Sequence, residues 1–166
     1  MDEIDIVRLS VPGSLIYRDV VLRVVASFCR LARVDGINTK QEASRGPNDD
    51  FDDKIVSAVG EAFNNVAIHG YRGRPPEIVV VELELIRDGV RIRLFDTGVG
   101  FHPSLEAEPR LASLPESHMG VFIIRSCMDT VNYERGSPPA TPNVLTLTKL
   151  YEQPQRKAAG RKSAER

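Results

Sequence analysis

Apolar residues return at helical spacing before Gly70: Ile55, Val59, Ala62 and Val66 form one stripe, which predicts a helix with a buried face. Glu61, Asn65 and His69 recur at four-residue intervals beside that stripe and share a second face, free to meet a ligand. Gly70 ends the helix. Downstream the period changes to two. Val79, Val81, Leu83 and Leu85 oppose Glu82 and Glu84 in residues 77–86, and Val90, Ile92 and Leu94 oppose Arg91 and Arg93 in residues 90–96. This alternation predicts two antiparallel strands, with helices on one face and water on the other. They meet at Asp88-Gly89, a dipeptide suited to the positive φ angles of a tight hairpin turn.

The flanking segments complete an α+β plan. Residues 4–11 alternate as a strand, and Pro12-Gly13-Ser14 breaks it before a core helix carrying Val20, Val21, Leu22, Val24, Val25, Phe28 and Leu31. Residues 34–50 are polar, with Gly36, Gly46 and Pro47, and read as a loop whose end caps the next helix. Residues 101–119 hold Pro103, Pro109 and Pro115 and few large apolar residues, which suits a lid with a short helix near 105–111. Gly120 opens an apolar helix over 121–128, and residues 130–134 and 144–150 read as closing strands. The predicted fold packs helices on one face of a mixed, mainly antiparallel sheet, a two-layer sandwich.

Length and composition limit the alternatives. A chain of 166 residues, 42% hydrophobic, suits one domain with a real core, placed at 1–151, followed by a polar basic tail at 152–166 that is expected to be disordered. A net charge of -1 supplies no global field to draw in nucleic acid or an anionic membrane. The acidic start Met1-Asp2-Glu3 lacks the order of a secretory signal, and no apolar run reaches the roughly 18 residues of a membrane span, so the cytoplasm is the expected location. Cys29 and Cys127 lie far apart in apolar surroundings, as buried free thiols rather than metal ligands.

The polar face of the Glu61 helix and the run Asp96-Thr97-Gly98-Val99-Gly100 suit a magnesium-nucleotide site. Asn65 offers a neutral carbonyl oxygen to Mg²⁺, whose other ligands would be phosphate oxygens and water. Glu61, one turn earlier, is placed to act as general base. Asp96, at a strand end, can accept a hydrogen bond from the adenine amino group, while Gly98 and Gly100 admit the ring without side-chain clash. Gly120, read as the start of a helix, would present free N–H groups and the positive dipole end to phosphate.

Taken in order, these segments resemble the Bergerat-fold ATPase superfamily, to which gyrase and the histidine kinases belong, and within it the anti-sigma-factor serine/threonine kinases of bacteria. Glu61-x-x-x-Asn65 with His69-Gly70-Tyr71 resembles that family's N box, Asp96-x-Gly98-x-Gly100-Phe101 its first glycine box, and residues 119–129 around Gly120 its second. The resemblance implies a kinase that uses ATP and Mg²⁺ to phosphorylate a serine on a small anti-sigma-factor antagonist of the STAS type. It also implies sequestration of a sigma factor and a homodimer. The family's second box usually has glycine where this chain has His118, a side chain that restricts the backbone but can also donate to phosphate. The superfamily often sets a threonine near the adenine-binding aspartate, and residues 141–146 leave open which residue takes that part.

Plainer readings stand beside these. Glu61 alone would be a solvated helix residue, His69 a C-terminal residue favoured by the helix dipole, and Gly98 and Gly100 turn glycines. It is the pairing of Glu61 with Asn65, followed by the glycine run, that favours function. The rival function is a non-catalytic module that sequesters a partner around a degenerate or structural nucleotide site, and His118 favours it.

Overall fold

The computed structural model describes residues 6–38, 50–100 and 116–151. Helix α2 (Phe51–Asn64) organises its core, because its stripe of Phe51, Ile55, Ala58, Val59, Ala62 and Phe63 is completely buried. Two further helices flank it, α1 (Arg18–Asn38) and α3 (Glu116–Cys127), and it makes extensive contact with both. Beneath the helices lies a five-stranded sheet of β1 (Ile6–Pro12), β2 (Ile78–Ile86), β3 (Gly89–Asp96), β4 (Thr130–Glu134) and β5 (Asn143–Leu150). Its order is β1-β2-β3-β5-β4, and all four pairings are antiparallel.

Strand alternation works as the sequence predicts. Val79, Val81 and Leu83 of β2, Val90, Ile92 and Leu94 of β3, and Leu145 and Leu147 of β5 point into the helical layer and are buried. The opposite face carries a charge ladder set by the β1-β2-β3 register, in which Glu82 lies beside both Arg8 and Arg93. Glu82 pairs with Arg8, and with Arg93 at 3.1 Å, while Arg91 meets Glu84 at 3.2 Å. The ladder is less watery than expected, because Glu82 is only 5% exposed and the two arginines stand between it and solvent. A carboxylate so placed requires its cations, whatever the net strength of the pairs.

Several boundaries differ from the sequence reading. α1 runs to Asn38 and takes in the first residues of the predicted 34–50 loop, since extending an existing helix is easy and one Gly36 weakens it only slightly. The hairpin turn sits on Arg87-Asp88, while Gly89 pairs with Ile86 inside β3 and does not take a positive φ. Its glycine is needed for space, because a Cβ there would run into the Lys149 carbonyl. α3 begins at Glu116, directly after Pro115 in the sequence, and this puts Gly120 a full turn inside the helix. Cys29 is buried as expected, but Cys127 is only partly so; burial still pushes its thiol pKa upward. Of the predicted 101–119 lid, residues 116–119 form the start of α3 instead, while 101–115 lie outside the described residues, as do the tail over 152–166 and most of the 34–50 loop.

Phe63 lies wholly inside the layer between helices and sheet. Phe63→Ala is expected to lower the unfolding free energy by about 3–5 kcal/mol, read from urea denaturation, through lost burial and the cavity left behind.

Candidate functional site

At its C-terminal end α2 widens. Residues Asn65–Gly70 form a π-helical stretch, a feature of i→i+5 bonding that often marks functional positions. The wider turn separates residues that an unbroken α-helix would align. Glu61 and Asn65 remain together and half-buried, whereas His69 turns outward and is exposed. The His69 carbonyl accepts hydrogen bonds from the Tyr71 and Arg72 N–H groups, so the chain reverses on its backbone. The one helical face predicted for Glu61, Asn65 and His69 therefore holds for the first two only.

The partner of this pair is α3. A Cβ at Gly120 would lie 2.9 Å from Glu61 Oε2 and 3.6 Å from Asn65 Oδ1. Gly120 therefore lets α3 approach the two polar side chains, and its role is space. The expected free N–H groups do not belong to it, because it is the fifth residue of the helix, past the unpaired first turn. His118 falls in that first turn, but its side chain lies outside the described residues. Asn65 Nδ2 is buried with no hydrogen-bond partner among the described residues. An unsatisfied buried amide costs free energy that a ligand can return.

The second half of the site is built at the end of β3. Asp96 is 6% exposed, and its Oδ1 accepts from the Gly98 N–H at 2.7 Å and from Asn143 Nδ2 at 3.0 Å. Both donors converge on Oδ1, and none among the described residues reaches Oδ2, which keeps that oxygen for a ligand donor. Asn143 is 1% exposed and also donates to the Gly98 carbonyl at 3.0 Å, while its own Oδ1 accepts from the Gly136 N–H at 3.1 Å. This is the residue the sequence left unassigned. It is the register partner of Asp96 across β3 and β5, a relation that appears only once the sheet is assembled.

The glycine run is close-packed rather than loose. A Cβ at Gly98 would stand 2.8 Å from Asp96 Oδ1 and from the Gly70 Cα, and 2.9 Å from the Gly70 carbonyl oxygen. Backbone cannot yield there as a side-chain tip could. The Val99 N–H donates to that same Gly70 carbonyl at 3.0 Å, which ties the loop to the end of the π stretch. Gly100 has φ +75°, a conformation that suits glycine, and a Cβ would press on the Tyr133 hydroxyl. Buried Tyr71 braces the loop from below, its hydroxyl 3.4 Å from the Thr97 N–H, while Arg74 donates to the Thr97 carbonyl at 2.5 Å.

Two polar centres thus lie on segments tied together through the Gly70 carbonyl and the Val99 N–H. One, at Asp96, offers a fixed carboxylate oxygen backed by glycine; the other, at Glu61 and Asn65, offers a carboxylate beside an amide with an unmet bond. No cluster of three or more His, Cys, Asp or Glu side chains among the described residues would hold a metal alone. A cation at Asn65 would complete its shell from phosphate and water, so the donor set fits a magnesium-nucleotide pair.

The family model for the histidine kinase-like ATPase domain matches residues 18–149. The Anti-sigma F factor of Oceanobacillus iheyensis is 40% identical over 100 residues, covering 58% of this chain and 67% of that protein. The Anti-sigma F factor of Clostridium beijerinckii is 35% identical over 101 residues, 57% of this chain and 71% of that protein. For that of Clostridium perfringens the figures are 36% over 81 residues, 46% and 58%.

Asn143→Ala would leave the Asp96 carboxylate and the Gly98 carbonyl without their buried donor. The expected loss is about 1–3 kcal/mol of stability, measured by urea denaturation of the nucleotide-free protein.

Proposed function

The chain belongs to the histidine kinase-like ATPase domain family, and from that premise we propose that it is an anti-sigma regulatory serine kinase. In this reading it binds Mg-ATP, phosphorylates a serine of a STAS-type anti-sigma-factor antagonist, and sequesters a sigma factor when the antagonist is not available. It works in the cytoplasm as a homodimer. Similarity to three Anti-sigma F factors supports the regulatory part. The observation that carries the catalytic part is the Glu61-Asn65 pair held against Gly120, with a buried amide nitrogen lacking a partner among the described residues.

Each residue has a definite task. Asp96 Oδ2 accepts from the adenine amino group while Asn143 and the Gly98 N–H hold the carboxylate through Oδ1. Gly98 and Gly100 keep side chains out of the ring's approach. Asn65 would hold the magnesium ion through its amide oxygen, and its nitrogen, which has no partner among the described residues, would donate to phosphate. Bound Mg²⁺ supplies neutralisation of charge on the transferring phosphoryl group. Glu61 takes the proton of the serine hydroxyl as the serine oxygen bonds to the γ-phosphorus and the bond from that phosphorus to the ADP oxygen breaks. His118 would add a phosphate donor, as an imidazole can.

A second reading keeps the partner binding and drops the transfer: the chain sequesters its partner around a degenerate or structural nucleotide site. His118 favours it, since it stands where the resembled family usually has glycine. Among the described residues no helix is long and apolar enough to cross a membrane.

Glu61→Ala separates the readings. Under the kinase reading the variant keeps its ATP affinity in calorimetry and loses serine phosphorylation about 10²–10⁴-fold in a radiolabel assay with an antagonist protein, the usual contribution of a positioned base. Asp96→Asn is expected to abolish ATP binding. A well-folded wild type that binds ATP and labels no antagonist would establish the second reading.

A further inference from the structure

α2 carries a glycine in its buried middle, where alanine would be the better helix former. The reason lies on α1. A Cβ at Gly60 would stand 2.8 Å from Arg18 Nη2 and 3.6 Å from Leu22 Cδ2, so the bare Cα makes room for a guanidinium against the helix backbone. From that seat Arg18 Nε donates to Asn64 Oδ1 at 3.0 Å. Asn64 Nδ2 in turn points to Glu61 Oε1 at 3.5 Å.

The direction of this chain is fixed by chemistry. A guanidinium has donors only, so Arg18 selects the oxygen of the Asn64 amide, and the amide must then present its N–H₂ to the carboxylate. Glu61 is thereby held through Oε1, while Oε2 lies beside the Gly120 backbone with no donor among the described residues. A general base needs one oxygen anchored and the other open, because a misplaced base loses rate quickly. The 3.5 Å contact is long, as catalytic hydrogen bonds often are before substrate tightens them.

We infer that Gly60, Arg18 and Asn64 form a positioning bracket that aims Glu61 at the phosphoacceptor hydroxyl. The inference rests on the kinase reading for the consequence in rate, and on geometry alone for the bracket. Arg18 and Asn64 are positioning residues, acting through Glu61 and touching no reacting atom.

Gly60→Ala tests it without endangering the fold, since the displaced group is the tip of a flexible side chain. In nucleotide-free protein, the side-chain amide proton resonances of Asn64 are expected to shift in Gly60→Ala, Arg18→Ala and Glu61→Gln, with melting temperatures close to wild type. With antagonist and Mg-ATP, Gly60→Ala, Arg18→Ala and Asn64→Ala should each lower kcat on the order of tenfold and leave the KM for ATP within about twofold. The Gly60→Ala/Arg18→Ala double variant should lose no more than either single one. Unchanged kcat in both Gly60→Ala and Arg18→Ala would overturn the inference while leaving the kinase reading intact. If the wild type transfers no phosphate, the kinase reading fails and the resonances decide the bracket: Asn64 signals that ignore Glu61→Gln would sink it.

Discussion

The structure depends most on how one buried carboxylate is satisfied. Asp96 sits at the end of β3 with 6% exposure, and a buried polar group in that position needs hydrogen-bond partners. Asn143 and the Gly98 N–H supply them, and each donor has a structural cost. The Asn143 bond demands an in-register β5; the Gly98 bond demands a loop so tight that any side chain would strike Gly70. Gly70 ends the π stretch of the Glu61 helix and accepts from Val99, so the requirement at Asp96 is carried through backbone to the other half of the site.

Local physics was legible in the sequence, and long-range physics was not. The β2-β3 hairpin and the α2 core stripe could be read because period-two and helical alternation are properties of neighbouring residues. Glu61, Asn65, Asp96, Gly98 and Gly100 stood out for the same reason, through spacing within short segments. Asn143 did not, because its identity as the partner of Asp96 is a matter of register between residues 47 apart in the chain. The nearest signal was the polar residue opening an alternating strand, which is common at strand ends.

The errors have a common physical source: a residue type has more than one use. Gly120 was read as a helix start and Gly89 as a positive-φ turn, but both are glycines of close approach, one beside Glu61 and Asn65, the other beside the Lys149 carbonyl. Composition cannot distinguish backbone freedom from lack of volume; only the neighbour can. The π stretch was hidden for a related reason. Asn65–Gly70 contains nothing that forbids an α-helix, and the extra width follows from joining α2 to a chain reversal whose next carbonyl is claimed by the glycine run.

The two ends of the site are stiffened by different means, and this bears on how it would work. The Asp96 end is locked by strand register, backbone hydrogen bonds and clashes that nothing can relieve, which suits recognition of a fixed ring edge. The Glu61 end is held by side-chain amides, a guanidinium seated over Gly60, and a helix-helix approach allowed by Gly120. The 3.5 Å contact of Asn64 with Glu61 can shorten when a charged ligand arrives, whereas the Asp96 network is already formed. A nucleotide would therefore meet a finished surface at its base and complete the arrangement at its phosphates. On the kinase reading, that order would place binding before chemistry and would keep the carboxylate from full alignment until there is a phosphoryl group to transfer.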